Sequence, residues 1–129
     1  MLTTGIKGNL ERIVTEEYTA KAMGSGELPV FATPAVVALA EECAWKSVAP
    51  ELEEGQGTVG TRMELSHLAA TPLGMAVRCE TQLVEIDRRK LVFSIEVFDE
   101  ADKVAEGRHE RFIVDNAKFL GKAEGKLQK

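Results

Sequence analysis

Residues 31–49 read FATPAVVALAEECAWKSVA. Helical spacing and the absence of any charged or polar residue from Ala35 to Ala40 predict a helix too apolar to lie on a surface. Thr33 suits the N-cap, because its hydroxyl can accept from an orphan N–H of the first turn. Pro34 suits the first helical position, where a missing N–H costs nothing. Pro50 disfavours a helical residue before it, so the helix should end near Ala49. Glu41 stands in the middle, on one stripe with Val37, Ala38, Ala44 and Val48. A carboxylate inside a core is costly unless something pairs with it. Two readings follow: an edge or seam carboxylate, or a base made stronger by desolvation.

Strand patterns surround this helix. Residues 8–20 hold Leu10, Ile13, Val14 and Tyr18 among charges and predict a strand. Residues 58–67 alternate, with Val59, Thr61, Met63, Leu65 and His67 on one face. Further strands are marked by Met75 to Leu83, by Leu91 to Val97, and by Val104 to Asp115. Asp87-Arg88-Arg89-Lys90 reads as a hairpin connection, and the basic tail after Asn116 is expected to fray. One strand, one buried helix and four antiparallel strands predict an α+β domain. A sheet curled around one helix covers it on one side only, so a homodimer is expected.

Composition narrows the function. The 129 residues predict one domain over 1–129, with its core at about 8–119. A net charge of -5 argues against a nucleic-acid binder, yet allows an anionic ligand held by a few local cations. No apolar run approaches the roughly 18 residues of a membrane span. The opening MLTTGIKGNLER has no leader-type apolar region, so a cytoplasmic protein with no membrane partner is expected. Cys43 and Cys79, far apart in sequence, read as reduced, buried thiols. Neither His67 nor His109 has metal-ligand spacing, so no metal is expected.

Gly55 to Gly60 matches G-x-G-x-x-G, but a helix precedes it and a strand follows. That reverses the order a dinucleotide site needs. Gly60, inside a strand, marks a place where a ligand or another backbone comes close. The helix start offers N–H dipoles that can stabilise an oxyanion.

The ordered set Phe31-Ala32-Thr33, Glu41, Gly57-Thr58-Val59-Gly60-Thr61, Ser66-His67, Ala69-Ala70-Thr71-Pro72 and Gly107-Arg108-His109-Glu110-Arg111 resembles the fluoroacetyl-CoA thioesterase branch of the hotdog-fold acyl-CoA thioesterases. The resemblance spans about Leu10 to Phe119. It implies a hotdog fold, a curved antiparallel sheet wrapped around one long central helix, and dimers with acyl-CoA sites at the subunit interface. It implies Thr33, Glu41 and His67 as the catalytic set, and Gly60 and Arg111 as substrate contacts. No cofactor is implied beyond the coenzyme A of the substrate. The fluoroacetyl-specific enzyme gates its pocket with a phenylalanine before the helix. Here residues 24–30 contain no aromatic, so another acyl-CoA is the expected substrate. A non-hydrolytic acyl-CoA binding protein is the alternative. A hotdog hydratase lacks the supporting aspartate five residues before a histidine.

Overall fold

The computed structural model describes residues 1–128. Five antiparallel strands form one sheet: β1 (Lys7–Ile13), β2 (Gln56–His67), β3 (Ala76–Asp87), β4 (Lys90–Asp99) and β5 (Lys103–Asp115). Their order is β1-β3-β4-β5-β2, so the long central helix α2 (Thr33–Val48) is followed by an edge strand. β2 pairs with β5 and not with its chain neighbour β3. The sheet folds around α2, which contacts every strand. Among the described residues no helix is long and apolar enough to cross a membrane.

α2 forms where its apolar run predicts, and its inner face carries Ala35, Val36, Leu39, Ala40, Cys43, Ala44 and Val48. Val36, Leu39 and Val48 are wholly enclosed. Each such side chain stabilises the fold by roughly 1.5–3 kcal/mol. The outer face is different: Ala38 is exposed, Val37 and Glu41 are half-buried, and Trp45 keeps 42% of its surface in solvent. The stripe expected to bury Glu41 therefore splits, with Ala44 and Val48 inside and Ala38 outside. An all-apolar helix laid on one sheet still has a second side.

Three other expectations change. Ala32, not Thr33, is the N-cap, which places Thr33 first in the helix and Pro34 second. The predicted strand over residues 8–20 stops at Ile13, and the chain turns through Glu16–Tyr18 into a short helix, α1 (Ala20–Met23). Local chemistry wins there: Thr19 Oγ1 accepts from the Ala22 N–H at 3.2 Å and caps α1. The tail after Asn116, expected to fray, forms α3 (Asn116–Glu124), whose first turn is capped by Asp115 accepting from the Lys118 N–H at 3.2 Å.

The alternation of β3 holds, with Val77, Cys79, Thr81 and Leu83 all facing α2. Cys43 and Cys79 are free and buried across that interface. In β5 the odd residues Ala105, His109, Arg111 and Ile113 are buried, so this strand has a clean inner face that contains two polar residues. Gly107 lies on that face where β2 approaches closely. A Cβ there would sit 2.0 Å from the Glu64 carbonyl oxygen and 2.9 Å from Leu65 Cα. Neither backbone group can retreat without breaking the β2–β5 ladder. Gly107→Ala is expected to cost about 3 kcal/mol, read as a lowered midpoint in urea denaturation.

Candidate active site

α2 carries Thr33 and Glu41, β2 carries Gly60 and His67, β5 carries Arg111, and the chain gathers them into two clusters. The first is at the start of α2. Backbone bonds from the Phe31 N–H to the Thr71 carbonyl and from the Ala32 N–H to the Tyr18 carbonyl, both 2.9 Å, hold that end in place. Thr33, freed from capping, meets the last residue of β2: Thr33 Oγ1 and His67 Nδ1 share a 2.7 Å hydrogen bond. The Nε2 atom of His67 is enclosed and has no hydrogen-bond partner among the described residues. Burial pushes the imidazole below its ordinary value, against a smaller upward pull from a backbone hydrogen bond at Ala69, and so favours the neutral ring. Ala32 has no side chain that can cap the first turn, so no side chain there competes for its N–H groups. A groove of about 340 Å³ opens beside the pair, lined among others by Ala20, Val30, Phe31 and Ala69.

The second cluster lies two turns along α2. Glu41 Oε2 stands 3.5 Å from Arg111 Nη1, and the glutamate side chain is 42% exposed while the arginine is 7% exposed. Of the two readings of Glu41 the geometry matches the edge carboxylate: Glu41 lies at the open edge and it is the arginine that is buried. Arg111 is held from every side. Its Nε donates to Thr58 Oγ1 at 2.8 Å, one terminal nitrogen donates to the Thr58 carbonyl at 3.0 Å, and Nη1 donates to His109 Nε2 at 3.0 Å. His109 Nδ1 in turn donates to the Arg62 carbonyl at 2.8 Å, which fixes the tautomer. Burial, aided by the neighbouring Arg111 charge, pushes His109 down despite its bond to that carbonyl, so the ring stays a neutral acceptor.

Gly60 completes this cluster. It pairs with Arg111 across the β2–β5 ladder, next to a bulge that leaves Thr61 unpaired and exposed. The bulge also ends the strict alternation predicted for β2. A Cβ on Gly60 would lie 2.6 Å from Glu41 Oε2. The bare backbone is what lets the carboxylate rest against the strand.

The structure therefore brings Thr33 to His67, and Glu41 to Gly60 and Arg111. It does not bring the two sets together within one chain, because eight helical residues separate Thr33 from Glu41 by about 12 Å. His109 was passed over in the sequence. The signal was its position two residues before Arg111, which puts both on one strand face.

A curved antiparallel sheet folded around one long helix is the hotdog architecture, and similarity to known proteins places it among the thioesterases. The model of the fluoroacetyl-CoA-specific thioesterase family matches residues 14–117. The chain belongs to that family. It is 36% identical over 97 residues to the fluoroacetyl-CoA thioesterase of Streptantibioticus cattleyicolor, covering 75% of this chain and 70% of that one. A crystal structure of a fluoroacetyl-CoA thioesterase superposes with a TM-score of 0.92 at 30% identity, covering 98% of each chain. A thioesterase superfamily member from Thermus thermophilus gives 0.91 at 28% identity, covering 99% of this chain and 95% of that one.

Proposed function

We propose that this thioesterase hydrolyses an acyl-CoA to the free acid and coenzyme A in a site shared between two copies of the chain. The observation that carries the shared site is the separation of the two clusters, each half-equipped. Thr33 and His67 offer a hydroxyl, a neutral imidazole and the N–H dipoles of a helix start, but no carboxylate. Glu41 and Arg111 offer the carboxylate but no free proton acceptor besides it. β2 is an edge strand, and pairing it antiparallel with its own copy would run the His67 end of one toward the Gln56–Gly60 end of the other. The apolar outer face of α2, with Ala38 and Trp45, would be covered by the same contact.

In that arrangement the acyl group enters the groove beside His67, and the thioester carbonyl points at the first turn of α2. Glu41 takes the proton of the attacking water, or attacks the carbonyl itself and expels the thiolate to leave a mixed anhydride that water then cleaves. His67, neutral at rest with Nδ1 on Thr33, receives the water proton at Nε2 by way of Glu41, and the imidazolium so formed protonates the thiolate. Residues 24–30 supply no aromatic to close over the pocket, which supports an acyl group other than strictly fluoroacetyl.

Thiol release across an acyl-CoA panel tests the activity, and inactivity on every member would end the reading. A complementation assay tests the shared site. Glu41→Gln and His67→Ala are each inactive, yet after subunit exchange half the dimers are mixed and each holds one intact site. About a quarter of wild-type activity should return. No recovery after proven exchange would place both residues of a site on one chain.

The pH profile is a separate expectation. His67 acts in its neutral form, and its folded-state value lies below the ordinary 6.5. Activity should hold as pH falls through 6.5 and drop only at the lower value. Stability responds earlier: the unfolded chain takes up its proton first, so folding weakens from about pH 6.5 down to the lower folded-state value. A kcat/KM profile whose acid limb is identical in wild type and His67→Gln would remove His67 from this role.

A further inference from the structure

Coenzyme A carries a phosphorylated nucleotide, and a chain of net charge -5 needs local cations to receive it. Arg111 is not available, because its guanidinium is enclosed and bound to Thr58, His109 and Glu41. Arg12, Lys46, Arg62, Arg78 and Lys103 are each paired with a carboxylate. Of the cations that no carboxylate pairs among the described residues, three line one groove at the far end of β5. A groove of about 400 Å³ between the β4–β5 end and α3 is lined by Arg89, Lys118 and Lys122 together with Phe112 and Phe119. Among the described residues none of these three cations forms an ion pair with a carboxylate. The one acidic residue in the lining, Asp115, is engaged as the α3 cap. Arg89 donates one terminal N–H to the Ile113 carbonyl at 3.1 Å, which anchors the guanidinium at the groove. Phe112 and Phe119 are 41% and 48% exposed, an unusual aromatic display in a chain with only 5% aromatic residues.

We propose that this groove holds the adenosine 3′-phosphate 5′-diphosphate end of coenzyme A. Cations take the phosphates and an aromatic face takes the adenine, the combination by which proteins hold unpaired nucleotides. The distance fits: Phe112 lies on the opposite face of β5 from Arg111, and Arg111 stands about 13 Å of strand from the end at Asp115, so an arm that rounds this strand end reaches the groove. The pantetheine arm bridges a gap of that size. The inference rests on the acyl-CoA reading above and names the part of the substrate that lies outside the reacting site.

The test compares wild type with Lys118→Glu/Lys122→Glu on an acyl-CoA and on the N-acetylcysteamine thioester of the same acid, which has no nucleotide. The readout is the ratio of the two kcat/KM values. Charge reversal is expected to lower that ratio about tenfold. Binding of 3′,5′-ADP, measured by calorimetry, should be lost in the variant, and 5′-AMP should bind the wild type more weakly than 3′,5′-ADP. An unchanged ratio, or 3′,5′-ADP binding that survives the double reversal, overturns the groove. Failure to cleave either thioester while 3′,5′-ADP still binds only the wild type would sink the hydrolase reading and leave the nucleotide groove standing.

Discussion

Glu41→Gln lowers kcat by about two to four orders of magnitude and leaves the protein folded. Glutamine keeps the shape of the side chain against Gly60 and removes its charge and its capacity to take a proton or attack a carbonyl. The fold tolerates the change for a structural reason. Arg111 loses its carboxylate neighbour but keeps three acceptors, Thr58 Oγ1, the Thr58 carbonyl and His109 Nε2. The pair itself is long at 3.5 Å and its acidic side is 42% exposed, so solvent screens it and its loss costs under about 1 kcal/mol. Stopped-flow thiol release and a thermal melt on the same sample measure both halves. A variant with wild-type turnover would show that the carboxylate is only the counter-ion of Arg111.

Gly60→Ala is the sharper experiment, because it leaves every proposed catalytic side chain chemically unchanged. The new methyl would stand 2.6 Å from Glu41 Oε2, 3.3 Å from His109 Cε1 and 3.4 Å from Arg111 Nη1. The closest atom ends a flexible, half-exposed side chain and therefore yields first. The carboxylate is driven off the strand, while Gly60 itself is exposed and its backbone stays paired with Arg111. A misplacement of about 1 Å at a reacting group commonly costs a hundred-fold in rate. The expected outcome is a fall in kcat of about that size with little change in melting temperature. This contrasts with Gly107→Ala, where the obstacle is backbone and stability is lost. Equal thermal loss in both variants would show that Gly60 serves the ladder and not the carboxylate.

Much of the fold was legible before any coordinates. The apolar run after Pro34 and the period-two pattern of β3 and β4 each carry their own signal, because burial on one face imposes a repeat on the sequence. The pairing of Thr33 with His67 was legible only through resemblance. Nothing in the spacing of 34 residues tells that the last residue of one strand meets the first of a helix. His109 was hidden by an apparent lack of alternation. Its strand face mixes alanine, histidine, arginine and isoleucine, and a pattern search that counts only apolar residues misses a buried polar pair. α3 was missed because none of its residues is buried. It stands on a cap and on local spacing, and a basic segment without an apolar stripe reads as tail.

The sequence by itself determined one long apolar helix and the antiparallel strands that accompany it, because burial of one face imposes its repeat on the residues. It also placed Glu41 and Gly60 among the residues to watch, and Arg111 joined them only through the family resemblance. Only the tertiary structure decided that Glu41 faces outward while Arg111 is enclosed, and that the imidazole and the carboxylate lie in separate clusters. Which side of a helix meets a sheet, and which strand becomes the edge, depends on contacts between residues distant in the chain. Local composition does not encode those contacts.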